Sequence, residues 1–230
     1  MFHFKKLRFI SISCLGLIIF VCGSATEAKM IQLLKPQIEQ SIPLNKAIQQ
    51  RRSIRKFNSN ELSISQISQL LWAAQGITDP SMNFRAAPSA GALYPLEIYL
   101  VKNDGVWHYL NKKHALDQVS KKDLRANLAK AALGQKPVAQ ASIDIVIAAN
   151  YKKETLKYGQ RGIRYTHIEV GHVAENLVLE TVNLGLAGVT IGAFDDLRVK
   201  NLLQLPKTET PLYILAIGAM NHGTIKTARM

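Results

Sequence analysis

Between positions 51 and 57 the chain reads Arg51-Arg52-Ser53-Ile54-Arg55-Lys56-Phe57, four cations and a hydroxyl in seven residues. Guanidinium groups are planar forks of N–H donors that match phosphate oxygens, and a serine hydroxyl adds one more donor. These types suit a phosphate monoester. Basic residues after a helix also complement its dipole with no ligand present, so this stretch alone leaves both readings open. A second stretch, Arg85 to Pro95, is rich in Ala, Ser and Gly. Small side chains leave backbone N–H and C=O uncovered, so a flat ligand could lie against them with Arg85 at its edge. An ordinary surface loop uses the same residues. In a third, Gly188 to Asp195, Gly192 permits either close approach of a ligand to the backbone or a tight turn.

These residues need elements to hold them. Leu44 to Gln50 reads as a helix that delivers the basic cluster, after an arm or short helix over 30–42. Ser63 and Gln66 form a capping box, and Ile64, Ile67, Leu70, Leu71 and Ala74 follow at helical spacing. Gly76 is expected to close that helix in the left-handed conformation. Leu96 to Lys102 is a strand, Asn103-Asp104-Gly105 a turn, and Val106 to Leu110 the hairpin partner. A helix is expected over Asp123 to Leu133, with Ser120 as its cap. The apolar run Ser142 to Ala149 reads as a buried strand. Tyr165 to Leu184 is the longest helical segment, ended by Gly185. Gly188 to Ile191 and Leu212 to Ile217 are strands around a short helix over Asp196 to Leu203. No repeat or linker divides residues 29–230, which read as one α+β domain with helices on a mainly antiparallel sheet.

The composition narrows the chemistry. A chain of 230 residues with 47% hydrophobic content is long enough for a real core. Its two cysteines, Cys14 and Cys22, both lie in the N-terminal apolar run, so residues 29–230 have no disulfide, thiol nucleophile or thiolate metal ligand. Residues 1–28 read as an export signal: Lys5, Lys6 and Arg8, then an apolar stretch from Phe9 to Cys22, then small residues for cleavage. The apolar stretch is shorter than the ~20 residues of a bilayer span. Ile19-Phe20-Val21 is bulkier than a lipidation signal at Cys22 would want. The location expected is extracytoplasmic, with membrane attachment only if the segment is retained or lipidated. The net charge is +13; removing residues 1–28 takes away Lys5, Lys6, Arg8 and Glu27 and leaves +11. The cations are spread along the chain without a nucleic-acid-binding pattern, so no nucleic-acid partner is expected. His167, Glu169, His172 and Glu175 sit close in sequence, but the two histidines are about 140° apart on a helix, which argues against a metal. There is no Gly-x-Ser-x-Gly elbow and no dinucleotide fingerprint.

Taken in order, four segments carry a family resemblance: Arg51 to Phe57, Pro88 to Tyr99, Gly171 to Glu180, and Leu184 to Asp196. Together they resemble the FMN-dependent nitroreductase family, SagB-type dehydrogenase branch, over about residues 44–220. The resemblance implies an intertwined α+β homodimer with one FMN at each of two interface sites. Arg51, Ser53 and Arg55 match the family's phosphate and ribityl contacts, with Arg52 adjacent. Pro88, Ser89, Ala90 and Gly91 match the loop along the isoalloxazine ring, and Gly192 and Ala193 the backbone near its pyrimidine and N5 side. Lys226 and Arg229 are candidates to close the site. Lys157 and Tyr158 match a pair that removes a substrate proton in the azoline-oxidising branch; a polar loop is the plain alternative. The implied activity is hydride transfer between a small organic substrate and FMN, with NAD(P)H as a candidate donor. The flavin carries the redox chemistry, so no side-chain nucleophile is needed. Two alternatives are azoline oxidation in peptides, which an export signal argues against, and a flavin carrier without turnover.

Overall fold

In the computed structural model, which describes residues 29–39 and 41–221, the chain runs β1 (Met30–Gln32), α1 (Leu44–Gln50), α2 (Ile64–Gln75), β2 (Ile77–Asp79), β3 (Phe84–Arg85), β4 (Leu96–Lys102), β5 (Gly105–Leu110) and β6 (Ala115–Ser120), then α3 (Arg125–Ala131), α4 (Lys136–Gln140), β7 (Ile143–Ala149), α5 (Lys152–Tyr158), α6 (Arg161–Asn183), β8 (Leu186–Ile191), α7 (Asp196–Leu202) and β9 (Thr210–Ala219). The export segment with Cys14 and Cys22, and Lys226 and Arg229, lie outside the described residues. Among the described residues no helix is long and apolar enough to cross a membrane.

Among the described residues seven strands form one sheet in the order β1-β6-β5-β4-β7-β9-β8, every pairing antiparallel. The strand β7 is buried along its whole length, including Asp144, which interrupts the apolar run expected there. Its period of two sends Ile143, Ile145 and Ile147 into one core, with Leu70 and Leu71 of α2 and Leu177 of α6. Val146 and Ala148 point into a second core, with Leu128 of α3, Val138 of α4 and Val199 of α7. The result is three layers, a sheet with helices on both faces. Each fully buried Leu or Ile contributes about 1.5–3 kcal/mol.

The capping box is present: Ser63 N–H donates to Gln66 Oε1 at 2.9 Å and Gln66 N–H to Ser63 Oγ at 3.2 Å. Gly185, at φ +65°, ends α6 in the left-handed region. Gly76 does not; its φ is −65° and its ψ 152°. A Cβ there would lie 2.3 Å from Trp72 Cδ1 and 2.7 Å from the Trp72 carbonyl oxygen, so glycine is required by the close approach of Trp72. Ser120 belongs to β6 and caps nothing; α3 starts at Arg125, behind Leu124. The arm over 30–42 contributes β1, which pairs with β6 at the sheet edge. Lys157 and Tyr158, for which a polar loop is the plain alternative, form the last turn of the helix α5.

Candidate functional site

The helix α1 ends on the basic turn. Arg52 folds its guanidinium back onto the carbonyls of Gln49 (3.0 Å) and Arg51 (2.7 Å), which satisfies the helix end as the dipole argument anticipates. The Ile54 N–H donates to Gly188 O at 2.9 Å, which pins the turn to β8. Between them lies a cleft of about 170 Å³. Arg51, Arg52 and Ser53 line one wall, Gly188 to Thr190 and Tyr213 another, and α6 supplies Gly171, Ala174 and Val178. A Cβ on Gly171 would meet nothing within 4 Å, so this wall is open for want of a side chain. Two guanidinium groups and a hydroxyl facing small residues are a donor set that fits a phosphate. Glu175, exposed at the rim, opposes an anion. Arg55 is exposed and lies outside the cleft lining; its Nη1 is 3.5 Å from Ser53 O. Gly192 and Ala193 are exposed just past β8. The Ala193 carbonyl accepts the Gln135 side-chain amide at 2.8 Å. A Cβ on Gly192 would stand an ordinary 3.6 Å from the ring of Tyr213, so packing within the protomer does not demand glycine there.

The loop from Pro88 to Gly91 lies elsewhere. Gly91, Ala92 and Tyr94 all have positive φ, at 59°, 54° and 50°. Left-handed backbone is unfavourable for Ala and Tyr, so surrounding contacts must hold it. The buried Tyr94 supplies them: its N–H donates to Ser89 Oγ at 2.9 Å, its hydroxyl accepts the Arg85 N–H at 3.1 Å, and its ring carries the Arg85 guanidinium at 4.3 Å. Pro88 and Gly91 are left exposed, with Ser89 and Ala90 half-buried. Lys157 and Tyr158 close over this loop: a Cβ on Gly91 would be 2.6 Å from Tyr158 Oη and 2.8 Å from Lys157 Nζ. The Lys157 ammonium nitrogen lies 5.3 Å from the centre of the Tyr158 ring.

Within one protomer, then, Arg51 to Ser53 meet Gly188 to Thr190, and Pro88 to Gly91 meet Lys157 and Tyr158, as two separate places. The helix α6 divides them: Glu169 faces the second and Gly171 the first, about 200° apart around a helix of 3.6 residues per turn.

Two carboxyls beneath the loop are not singled out for this site by the sequence. Glu169 is buried; its Oε1 accepts the Gln75 side-chain amide at 3.2 Å, and Gln75 Oε1 accepts Arg85 Nη1 at 3.0 Å. Burial pushes the Glu169 carboxyl up to about 7, against the downward pull of the Ser89 hydroxyl and Gln75. Glu154 on α5 is also fully buried, and burial raises it against Lys157 and Ser89. The available sequence signal is position: Glu154 stands three and four residues before Lys157 and Tyr158, and Glu169 sits beside the core residue Val170. His167 faces away and meets Tyr151 Oη at 2.6 Å, so it and Glu169 do not share a ligand face.

Comparison with known proteins gives a match to the Nitroreductase family over residues 48–219. The chain is 40% identical over 194 residues to MJ1384 of Methanocaldococcus jannaschii, whose name places it among the nitroreductases; the match covers 82% of this chain and 96% of that one. It is 28% identical over 176 residues to the microcin B17-processing protein McbC of Escherichia coli, covering 71% of this chain and 65% of McbC. Among solved structures, one from Ralstonia eutropha, described as a nitroreductase by assignment, superposes with a TM-score of 0.76 at 26% identity, covering 84% of this chain and 90% of that one.

Proposed function

The chain belongs to the nitroreductase family, and from that premise we propose that it is an FMN-dependent oxidoreductase that moves hydride between a small organic substrate and the flavin. The observation that carries this reading is the cleft in which Arg51, Arg52 and Ser53 face Gly188 to Thr190, with open space at Gly171 of α6. Its donor set suits the FMN phosphate. When bound, the flavin supplies a two-electron hydride acceptor and donor. The protein's share is to hold and orient it. Arg51 and Ser53 would bind the phosphate and ribityl end, with Arg55 as a further contact. The bare backbone of Pro88 to Gly91 would lie along the ring, and Gly192 and Ala193 beside its pyrimidine edge. Lys157 and Tyr158, which reach over Gly91, would handle a substrate proton.

The two places lie apart in a single protomer, so one complete site takes its phosphate end from one copy and its ring-facing loop from a second. Exposed apolar side chains on α1 and α6, Leu44 (64%), Ile48 (54%) and Ile168 (49%), support a face for that second copy. We infer a homodimer with two sites. NAD(P)H is the proposed donor, and the extracytoplasmic location follows from residues 1–28. Loading of FMN would then come after export.

The similarity to McbC, together with Lys157 and Tyr158 over Gly91, favours a second reading, dehydrogenation of azoline rings in a peptide. Purified protein titrated with FMN tests the first claim. Bound flavin absorbance and quenched fluorescence are expected, and an unchanged free-flavin spectrum would remove it. Steady-state oxidation of NAD(P)H with a quinone or nitroaromatic acceptor then separates turnover from carriage. Anaerobic flavin reduction by a synthetic azoline peptide, with no response to NAD(P)H, would select the second reading.

A further inference from the structure

Lys153, one turn before Lys157 on α5, has no task in the chemistry assigned so far. Two acceptors hold its ammonium group. It donates to Glu97 Oε1 of β4 at 2.7 Å and to the Tyr94 carbonyl at 3.2 Å. The other Glu97 oxygen is engaged as well, by His108 Nε2 of β5 at 3.1 Å. His108 stacks on the Tyr99 ring, with 4.8 Å between ring centres, and the Tyr99 hydroxyl donates to Glu209 Oε2 at 2.8 Å. Burial alone would raise the Glu97 carboxyl; the bonds from His108 and Lys153 together outweigh it and keep the group below its ordinary value. An ion pair in open solvent contributes little. Here the Lys153 side chain is 36% exposed and that of Glu97 24%, and both carboxylate oxygens are fixed from a sheet. The contact therefore sets a position.

Tyr94 stands at the end of the loop that begins at Pro88, and its φ of 50° is left-handed. Its carbonyl is taken by Lys153, and the next carbonyl, of Pro95, accepts the Asn150 N–H at 2.9 Å. The root of α5 is thus hooked to two consecutive carbonyls. Lys157 lies four residues on, about 6 Å along the same helix face. There a Cβ on Gly91 would be 2.8 Å from its Nζ and 2.6 Å from Tyr158 Oη. One short helix meets the loop at both ends, at Tyr94 through Lys153 and at Gly91 through Lys157 and Tyr158. We propose that Lys153, braced by Glu97 and His108, is a positioning residue that clamps α5 to the loop and so fixes Lys157 and Tyr158 over Gly91. Its part in turnover rests on the flavin reading; the clamp does not.

The test starts on the flavin-free chain. Lys153→Met keeps the apolar stem and loses the ammonium group. Its amide hydrogen exchange should rise about 10-fold over 89–94 and over α5, with β7 unchanged. Lys153→Arg should restore most of that protection. In flavin-loaded protein, with NADH and menadione as probes, Lys153→Met should lower kcat about 10-fold and leave the KM for menadione little changed. Added to a variant that already carries Lys157→Ala and Tyr158→Phe, it should cost nothing more, because its effect runs through those two side chains. Unchanged exchange in Lys153→Met, or a rate loss that persists in full on that background, overturns the proposal. Failure of the wild-type chain to bind FMN would sink the flavin reading alone, since exchange is measured without it. Glu97→Gln loosens the same clamp from the sheet side and decides the question if Lys153→Met does not fold.

Discussion

Glu169 and His114 pull stability in opposite directions as pH changes. The Glu169 carboxyl, at 4.5 when unfolded, is lifted by burial to about 7, so the native state binds more proton between those values. Its contribution is therefore full below about 4.5 and lost as pH rises through about 7. Urea unfolding at pH 5 and pH 8 should show that loss, on the order of 2–3 kcal/mol, and Glu169→Gln should largely abolish it. His114 is lowered by burial, where its Nε2 lies 2.8 Å from Leu34 O and its Nδ1 2.8 Å from Tyr109 Oη. Unfolded chains take up its proton first, so stability falls as pH drops below 6.5, the unfolded value. His114→Gln should flatten that acid limb. At the cleft, Arg51→Ala should weaken FMN binding by about 10–100-fold, the value of a charge-assisted bond, in a fluorescence titration. The basic turn and the small-residue loop are legible as residue types. The carboxyl pair is not, because only the packing of α5 against α6 makes Glu154 a buried group.

Elements with strong local signals emerge where their sequence places them. The capping box of α2, the Asn103-Asp104-Gly105 hairpin and the apolar run of β7 are set by neighbours within a few residues. The elements missed are those defined by distant partners. β6 alternates weakly, with Asp117, Gln118 and Ser120 half-exposed, and becomes a strand because β5 and β1 flank it. α5 has Leu156 86% exposed, so its pattern does not advertise a buried face. Gly76 separates local from tertiary causes. Its backbone is extended, so the cost of a side chain comes from contact with Trp72, chiefly its indole at 2.3 Å and also its carbonyl oxygen at 2.7 Å. Gly76→Ala should destabilise by about 1–3 kcal/mol, and pairing it with Trp72→Leu should recover part of the loss in chemical denaturation.

At the scale of the molecule, a site divided between two places predicts that assembly and flavin binding fail together. Ile48→Glu combined with Ile168→Glu should give a monomer by sedimentation that retains its far-ultraviolet circular dichroism and binds FMN at least 10-fold more weakly, about 1.4 kcal/mol. A monomer with undiminished affinity would show that one copy suffices.

The basic turn is stitched to the far end of the chain: Asn58 N–H donates to Ala219 O at 3.0 Å, and the Asn58 side chain to Met220 O across 162 positions. Closing so long a span is slow compared with forming local helices and hairpins. The anion cleft therefore cannot take shape before β9 is made and docked, so capture of a ligand there follows the long-range closure of the sheet, and a chain cut before β9 would have no cleft to fill.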